Sequence, residues 1–143
     1  MEFKWTTDLS DPTYKDAIHI RKTVFVEEQK VPIELEIDEL EDQTSHVVGY
    51  LDGTPVATAR IYEKEPDVYK IQRVAVSKTA RGKGTGKVLM AEVEAKVQSL
   101  KGKKLILDAQ DHALNFYEKS GYTIEGEGFP DAGIPHHRMI KEL

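Results

Sequence analysis

The chain has 143 residues, 39% of them hydrophobic, enough for one globular domain with one well-formed core and too few for two. It carries no cysteine and a formal net charge of −5, which excludes disulfides, thiolate metal sites and a cysteine nucleophile, and argues against a nucleic-acid binder. No leader or long apolar run marks it for a membrane, so a cytoplasmic protein is expected.

Phe3 to Thr7 reads as a first strand, and Asp11-Pro12 as an N-cap with proline in the first helical turn. Ala17, Ile18, Ile20, Val24 and Phe25 then predict one buried helical stripe running toward Glu28-Gln29. The stretch from there to Asp42 is acidic and irregular. Ser45 to Leu51 and Pro55 to Tyr62 are joined by Asp52-Gly53, a strong hairpin signal, and Tyr69 to Val76 extends the meander by a further strand. Leu89, Val93, Val97 and Leu100 mark a helix over Gly86 to Leu100, stopped at Gly102. Leu105 to Leu107 forms a short strand, Ala113 to Lys119 a short helix, and Tyr122 to Ile124 with Pro135 to Ile140 the closing strands. The predicted order is β-α-β-β-β-α-β-α-β-β.

Between the strand ending at Val76 and the helix from Gly86 lies Arg81-Gly82-Lys83-Gly84-Thr85-Gly86-Lys87, three glycines among three cations. Glycines let backbone N–H groups converge, and the start of a helix favours an anion, so this loop is built to hold phosphate. A Walker A spacing fails, because Arg81 stands five residues before Gly86 and Val88 follows Lys87. The GxGxG spacing and the antiparallel strands before it also fit a Rossmann fingerprint poorly.

The loop fits a third pattern: Arg or Gln, two residues, Gly, one residue, then Gly or Ala, filled here by Arg81, Gly84 and Gly86. In this it resembles the pyrophosphate loop of the GNAT N-acetyltransferases. Val74-Ala75-Val76 is similar to that family's cofactor-lining strand, and Ala113 to Tyr122 to its segment with the Phe-Tyr pair. Val24 to Gln29, Asp38 to His46 and Gly133 to His136 resemble the small bacterial ElaA-like branch. Thr85 and Gln110 depart from the commonest residues, without removing a backbone donor.

The resemblance implies a single α/β (α+β) domain whose mixed, mostly antiparallel sheet is flanked by helices and splays at Ile71–Val76 and Leu105–Ala109 to admit acetyl-CoA. The donor would be held by Val74, Ala75, Val76, Arg81, Gly82, Lys83, Gly84, Thr85, Gly86, Lys87 and Asn115. An amine, small-molecule or peptide, would attack the thioester directly, the Val74 N–H would stabilise the oxyanion, and Tyr117 would protonate the thiolate. The proton of the amine would pass to Glu28, His46, His136 or a water held by one of them, Glu28 and His136 ranking first. No metal is expected, since the adjacent His136 and His137 on a strand point to opposite faces. Arg73 reads as one half of an ion pair.

Eight acidic residues and one lysine lie between Glu27 and Asp42. Such a run ordinarily marks a solvated face, but in this fold it would edge the acceptor site, where free carboxylates would steer a cationic amine. A homodimer is compatible with the resemblance. A non-catalytic acyl-CoA sensor is the rival reading.

Overall fold

Asp11 opens the first helix as the sequence predicts: its side chain accepts a hydrogen bond from the Thr13 N–H at 2.8 Å, and Pro12 fills the first position of α1 (Pro12–Arg21). The computed structural model describes all 143 residues. The helix continues beyond Arg21 as a π-helical segment, Lys22–Glu28, a wide turn that is uncommon and often found at functional sites. The acidic stretch is less irregular than expected, with a single helical turn α2 (Ile33–Glu36) and a 3₁₀ turn at Glu41–Gln43.

Seven strands form one sheet in the order β1-β2-β3-β4-β5-β7-β6. They are β1 (Glu2–Thr6), β2 (Ser45–Leu51), β3 (Thr54–Glu65), β4 (Val68–Val76), β5 (Lys104–Gln110), β6 (Thr123–Asp131) and β7 (Ile134–Glu142). Every neighbouring pair is antiparallel except β4 with β5. The hairpin between β2 and β3 turns on Asp52 (φ 50°) and Gly53 (φ 80°), a pair of left-handed residues of the kind a two-residue hairpin demands. Strand β6 runs far past the predicted Ile124, because Gly126 (φ 79°) and a bulge between Glu125 and Phe129 keep the glycine-rich chain paired with β7.

Helix α3 (Thr85–Ser99) lays Leu89, Val93 and Val97, all fully buried, against one face of the sheet. The short α4 (Leu114–Lys119) adds Tyr117 to the same cluster, which includes Ile61, Ile71, Leu107 and Met139. Each of the three buried α3 aliphatics contributes roughly 2 kcal/mol. On the opposite face a smaller core joins Ala17, Ile20, Val24 and Phe25 to Val48, Tyr50 and Ala75. No helix is long and apolar enough to cross a membrane.

Two features open the middle of this sheet. Thr58 pairs with Ala75 and Arg60 with Gln72, so two residues of β4, Arg73 and Val74, oppose the single Ala59 of β3. Arg73 sits at φ 57°, a conformation that costs a non-glycine residue about 1–2 kcal/mol. The parallel pairing of β4 with β5 then ends at Ile71 and Leu107, and the strands diverge beyond it. This is the splay the resemblance implies.

Candidate functional site

The divergence leaves a cavity of about 820 Å³ that reaches from the glycine loop to the β6–β7 hairpin. Val74, Ala75 and Val76 form one wall and Leu107, Ala109 and Gln110 the other. Glu28 and Gln29 approach from the π-helical segment, Tyr117 from α4 and His136 from β7.

At the loop, Gly82 and Gly84 take φ values of 74° and 78°. Gly84 caps α3 without a side-chain hydrogen bond, so the first N–H groups of the helix, from Thr85, Gly86 and Lys87, remain for an anion. A Cβ at Gly86 would stand 3.1 Å from Phe116 Cζ, so a side chain there would displace the ring. Gly84→Ala forces alanine into the left-handed region and lowers stability by about 1–2 kcal/mol, read as a fall of roughly 4 °C in the thermal midpoint.

The side chains predicted to meet the cofactor are not equally free or equally near the cavity. Arg81 is already engaged: its Nε donates to the Val76 carbonyl at 2.9 Å and its Nη2 to Glu28 Oε1 at 2.6 Å. Lys83 and Asn115 are exposed and lie outside the cavity wall, because Lys83 stands between two left-handed glycines and Asn115 on the solvent side of α4. The open cradle therefore consists of the α3 N–H groups with Lys87 beside them.

Tyr117 is buried in the cavity wall and stacked edge-on against Phe116 and Tyr122. Burial raises its phenol above the ordinary range, so the proton is retained at neutral pH. The three base candidates separate. The carboxylate of Glu28 is held by Arg81. His46 is 1% exposed, lies away from the cavity and hydrogen-bonds through Nε2 to Thr44 Oγ1 and the Glu41 carbonyl; burial lowers its pKa. His136 lines the cavity, and its Nδ1 lies 2.6 Å from the Ile134 carbonyl. That contact assigns the ring proton to Nδ1 and leaves Nε2 as an acceptor. His137 turns the other way, to Asp111 at 2.7 Å.

The acidic stretch divides: Glu27, Glu28, Glu34, Glu39 and Asp42 are exposed, as expected of a solvated face, whereas Glu36, Asp38 and Glu41 are drawn inward. Glu36 and Glu41 are buried, and with Asp38 they bind three arginines from separate elements. Arg21 at the end of α1 meets Glu36 at 2.8 Å and Glu41 at 2.7 and 2.9 Å. Arg60 of β3 meets Glu41 at 2.8 Å and Asp38 at 2.9 Å. Arg73, on the bulge, reaches Glu36 and Asp38, both at 3.2 Å. Three carboxylates and three guanidinium groups cancel, so Glu36 and Asp38 are neither a solvated face nor a free rim for a cation. The network instead pins α2 to the bulge, and with it the cavity wall formed by Leu35 and Glu36.

One bridge across the cavity carries no sequence signal. Gln110 Nε2 donates to Gln29 Oε1 at 2.7 Å, and Gln110 Oε1 lies 2.5 Å from His112 Nε2. The two glutamines are 81 residues apart, and only the folded sheet brings them together.

The sequence profile of the family described as "Acetyltransferase (GNAT) domain" matches residues 9–143. The chain is 41% identical over 129 residues to the Uncharacterized N-acetyltransferase YjcF of Bacillus subtilis (strain 168), covering 90% of this chain and 91% of that one. The crystal structure of Escherichia coli ElaA superposes with a TM-score of 0.85 at 30% identity, over 99% of this chain and all of that one. An acyl-CoA N-acyltransferase from Pseudomonas aeruginosa also gives 0.85 at 30% identity, over 98% and 99% of the two chains.

Proposed function

The chain belongs to the GNAT acetyltransferase family, and from that premise we propose that it moves an acetyl group from acetyl-CoA to a primary amine by direct attack. The observation that carries the reading is the continuous cavity joining an uncapped helix start at Gly84 to the split strands and to Tyr117. The backbone N–H groups opening α3 would receive the pyrophosphate, and the gap beyond Ile71 and Leu107 would take the pantetheine arm.

The amine nitrogen attacks the thioester carbonyl, forming the amide C–N bond and breaking the C–S bond. On the bulge, the Val74 N–H would meet the charge developing on the carbonyl oxygen. Tyr117 supplies the proton that the departing thiolate takes up. The proton lost by the amine goes to His136 Nε2, directly or through water; this choice over Glu28 rests on the Arg81–Glu28 ion pair and on the free ring nitrogen.

Incubation with acetyl-CoA and a panel of amines, followed by CoA-thiol release and the acetylated product mass, tests the reading. Binding of acetyl-CoA without turnover on any amine would sink it. His136→Gln, which keeps a polar group of similar reach, lowers kcat about 100-fold while KM for acetyl-CoA stays within a factor of about two; an unchanged kcat would return the base to Glu28 or to water.

A further inference from the structure

We infer that Gln29 and Gln110 make the enzyme select an amine over water: their side chains close the acceptor side of the strand gap and shield the acetyl thioester until an amine parts them. The inference rests on the acetyl-transfer reading above and adds two specificity-determining residues to it.

The two faces of the sheet divide the reaction. Leu105, Leu107, Ala109 and Met139 share one core with Tyr117 and the buried aliphatics of α3, and the uncapped start of that helix belongs to the same side. The alternate residues of β5 and β7 face the other way, toward the side that carries α1. Gln110 and His136 are register partners across these two strands, so their side chains stand next to each other on the α1 side. Acetyl-CoA is therefore held from the α3 side, and the amine meets the thioester from the side of His136.

The π-helical segment ends over this opening. Val24 and Phe25 are buried in the α1 core, and one wide turn later, closed by the Gln29 N–H on the Val24 carbonyl at 3.2 Å, Glu28 and Gln29 reach the cavity where the strands have parted. Glu28 Oε1 accepts from Arg81 Nη2 at 2.6 Å, and Arg81 Nε donates to the carbonyl of Val76, the last residue of β4. Gln29 Oε1 accepts from Nε2 of Gln110, the last residue of β5, at 2.7 Å. Consecutive residues thus fasten the ends of both diverging strands, and the chain Val76–Arg81–Glu28–Gln29–Gln110 forms a strap from one to the other. His112 sets its direction: the ring Nε2 lies 2.5 Å from Gln110 Oε1, and an N–H there turns the Gln110 NH₂ toward Gln29.

The weakest part of the strap is the Gln29–Gln110 bond. It joins two neutral, flexible side chains, so its net worth is small and a ligand can open it, whereas the Arg81–Glu28 contact is charge-assisted. The bond lies beside the base and between the thioester and solvent on the acceptor side. Water is the acceptor in greatest excess: its oxygen would add to the thioester carbonyl, the C–S bond would break, and acetate and CoA thiol would leave without an amide being formed. Excluding bulk water from a closed site suppresses that side reaction.

The test measures the initial rate of thiol release from acetyl-CoA without amine and divides it by kcat with the fastest amine of the panel. Gln29→Ala and Gln110→Ala are each expected to raise this ratio about tenfold, the shift toward the open strap that loss of one hydrogen bond gives. Gln29→Glu, whose carboxylate still accepts from Gln110 Nε2, keeps the ratio near that of the wild type. A loss of folded protein lowers both rates together and does not imitate the rise. Ratios within about twofold of wild type in both alanine variants, or a Gln29→Glu ratio as high as theirs, would overturn the inference and leave acetyl transfer standing. Release of no thiol with any amine would overturn acetyl transfer and this inference together.

Discussion

Tyr117→Phe lowers kcat about 100- to 1,000-fold, the range expected for loss of a positioned general acid, while KM for acetyl-CoA and the thermal midpoint barely move. The ring is buried and held edge-on by Phe116 at 5.0 Å and Tyr122 at 5.8 Å, and phenylalanine keeps both contacts, so the fold loses little. What disappears is one proton donor at the wall. Burial raises the phenol, yet the same apolar surroundings penalise a thiolate, so transfer between them is not made uphill by burial alone. The raised value also fixes the sign of the pH dependence: Tyr117 is protonated throughout the neutral range, and kcat should show no alkaline limb from this group until well above its ordinary value. Steady-state kinetics on both proteins with one acceptor settle the matter. A kcat within threefold of wild type would remove Tyr117 from the chemistry and leave solvent to protonate the thiol.

Local patterns made much of this legible beforehand. Asp11-Pro12, Asp52-Gly53 and the Leu89–Val93–Val97 stripe each encode an element through short-range physics, and the structure realises all three. The loop glycines at 82 and 84 are read correctly for the same reason, since a left-handed backbone favours that residue type. The remainder depends on partners distant in sequence. Arg73 adopts a left-handed conformation that no residue preference announces; its compensation comes from Glu36 and Asp38, more than thirty positions earlier. Within the acidic run, Glu36, Asp38 and Glu41 looked as solvated as their exposed neighbours because Arg21, Arg60 and Arg73 are scattered over a helix and two strands and converge only after the sheet forms. Arg81 looked like a free cation because Glu28 lies 53 residues away. Charge counted along a chain gives composition, and pairing across elements decides which charges a ligand can meet.

The arginine–carboxylate network yields the largest stability effect, at Glu41. Although burial works to raise it, hydrogen bonds and charge from Arg21, aided by Arg60, pull this carboxyl from 4.5 down to about 2. Its contribution to stability is therefore fully present above about pH 4.5 and is lost as the pH falls from there through about 2. Glu36 runs in the opposite sense, since burial raises its pKa, so the acid transition of the wild type is weighted toward Glu41. Glu41→Gln removes the anion shared by Arg21 and Arg60 and leaves two buried guanidinium groups with one carboxylate partner fewer. Breaking a buried pair from one side costs about 3–5 kcal/mol, which for a chain of this size lowers the thermal midpoint by roughly 10 °C. The loss should shrink in melts repeated toward pH 3, where the wild-type carboxylate is itself being titrated. The functional consequence follows from position. Arg21 and Arg73 hold Glu36, and Arg73 donates to the Leu35 carbonyl at 3.2 Å, so loosening the network moves the cavity wall formed by Leu35 and Glu36 but leaves the α3 cradle intact. Glu41→Gln is thus expected to raise KM for the acceptor severalfold below its melting range with KM for acetyl-CoA nearly constant. Equal changes in the two constants would mean that the network supports the whole sheet and not the Leu35–Glu36 wall in particular.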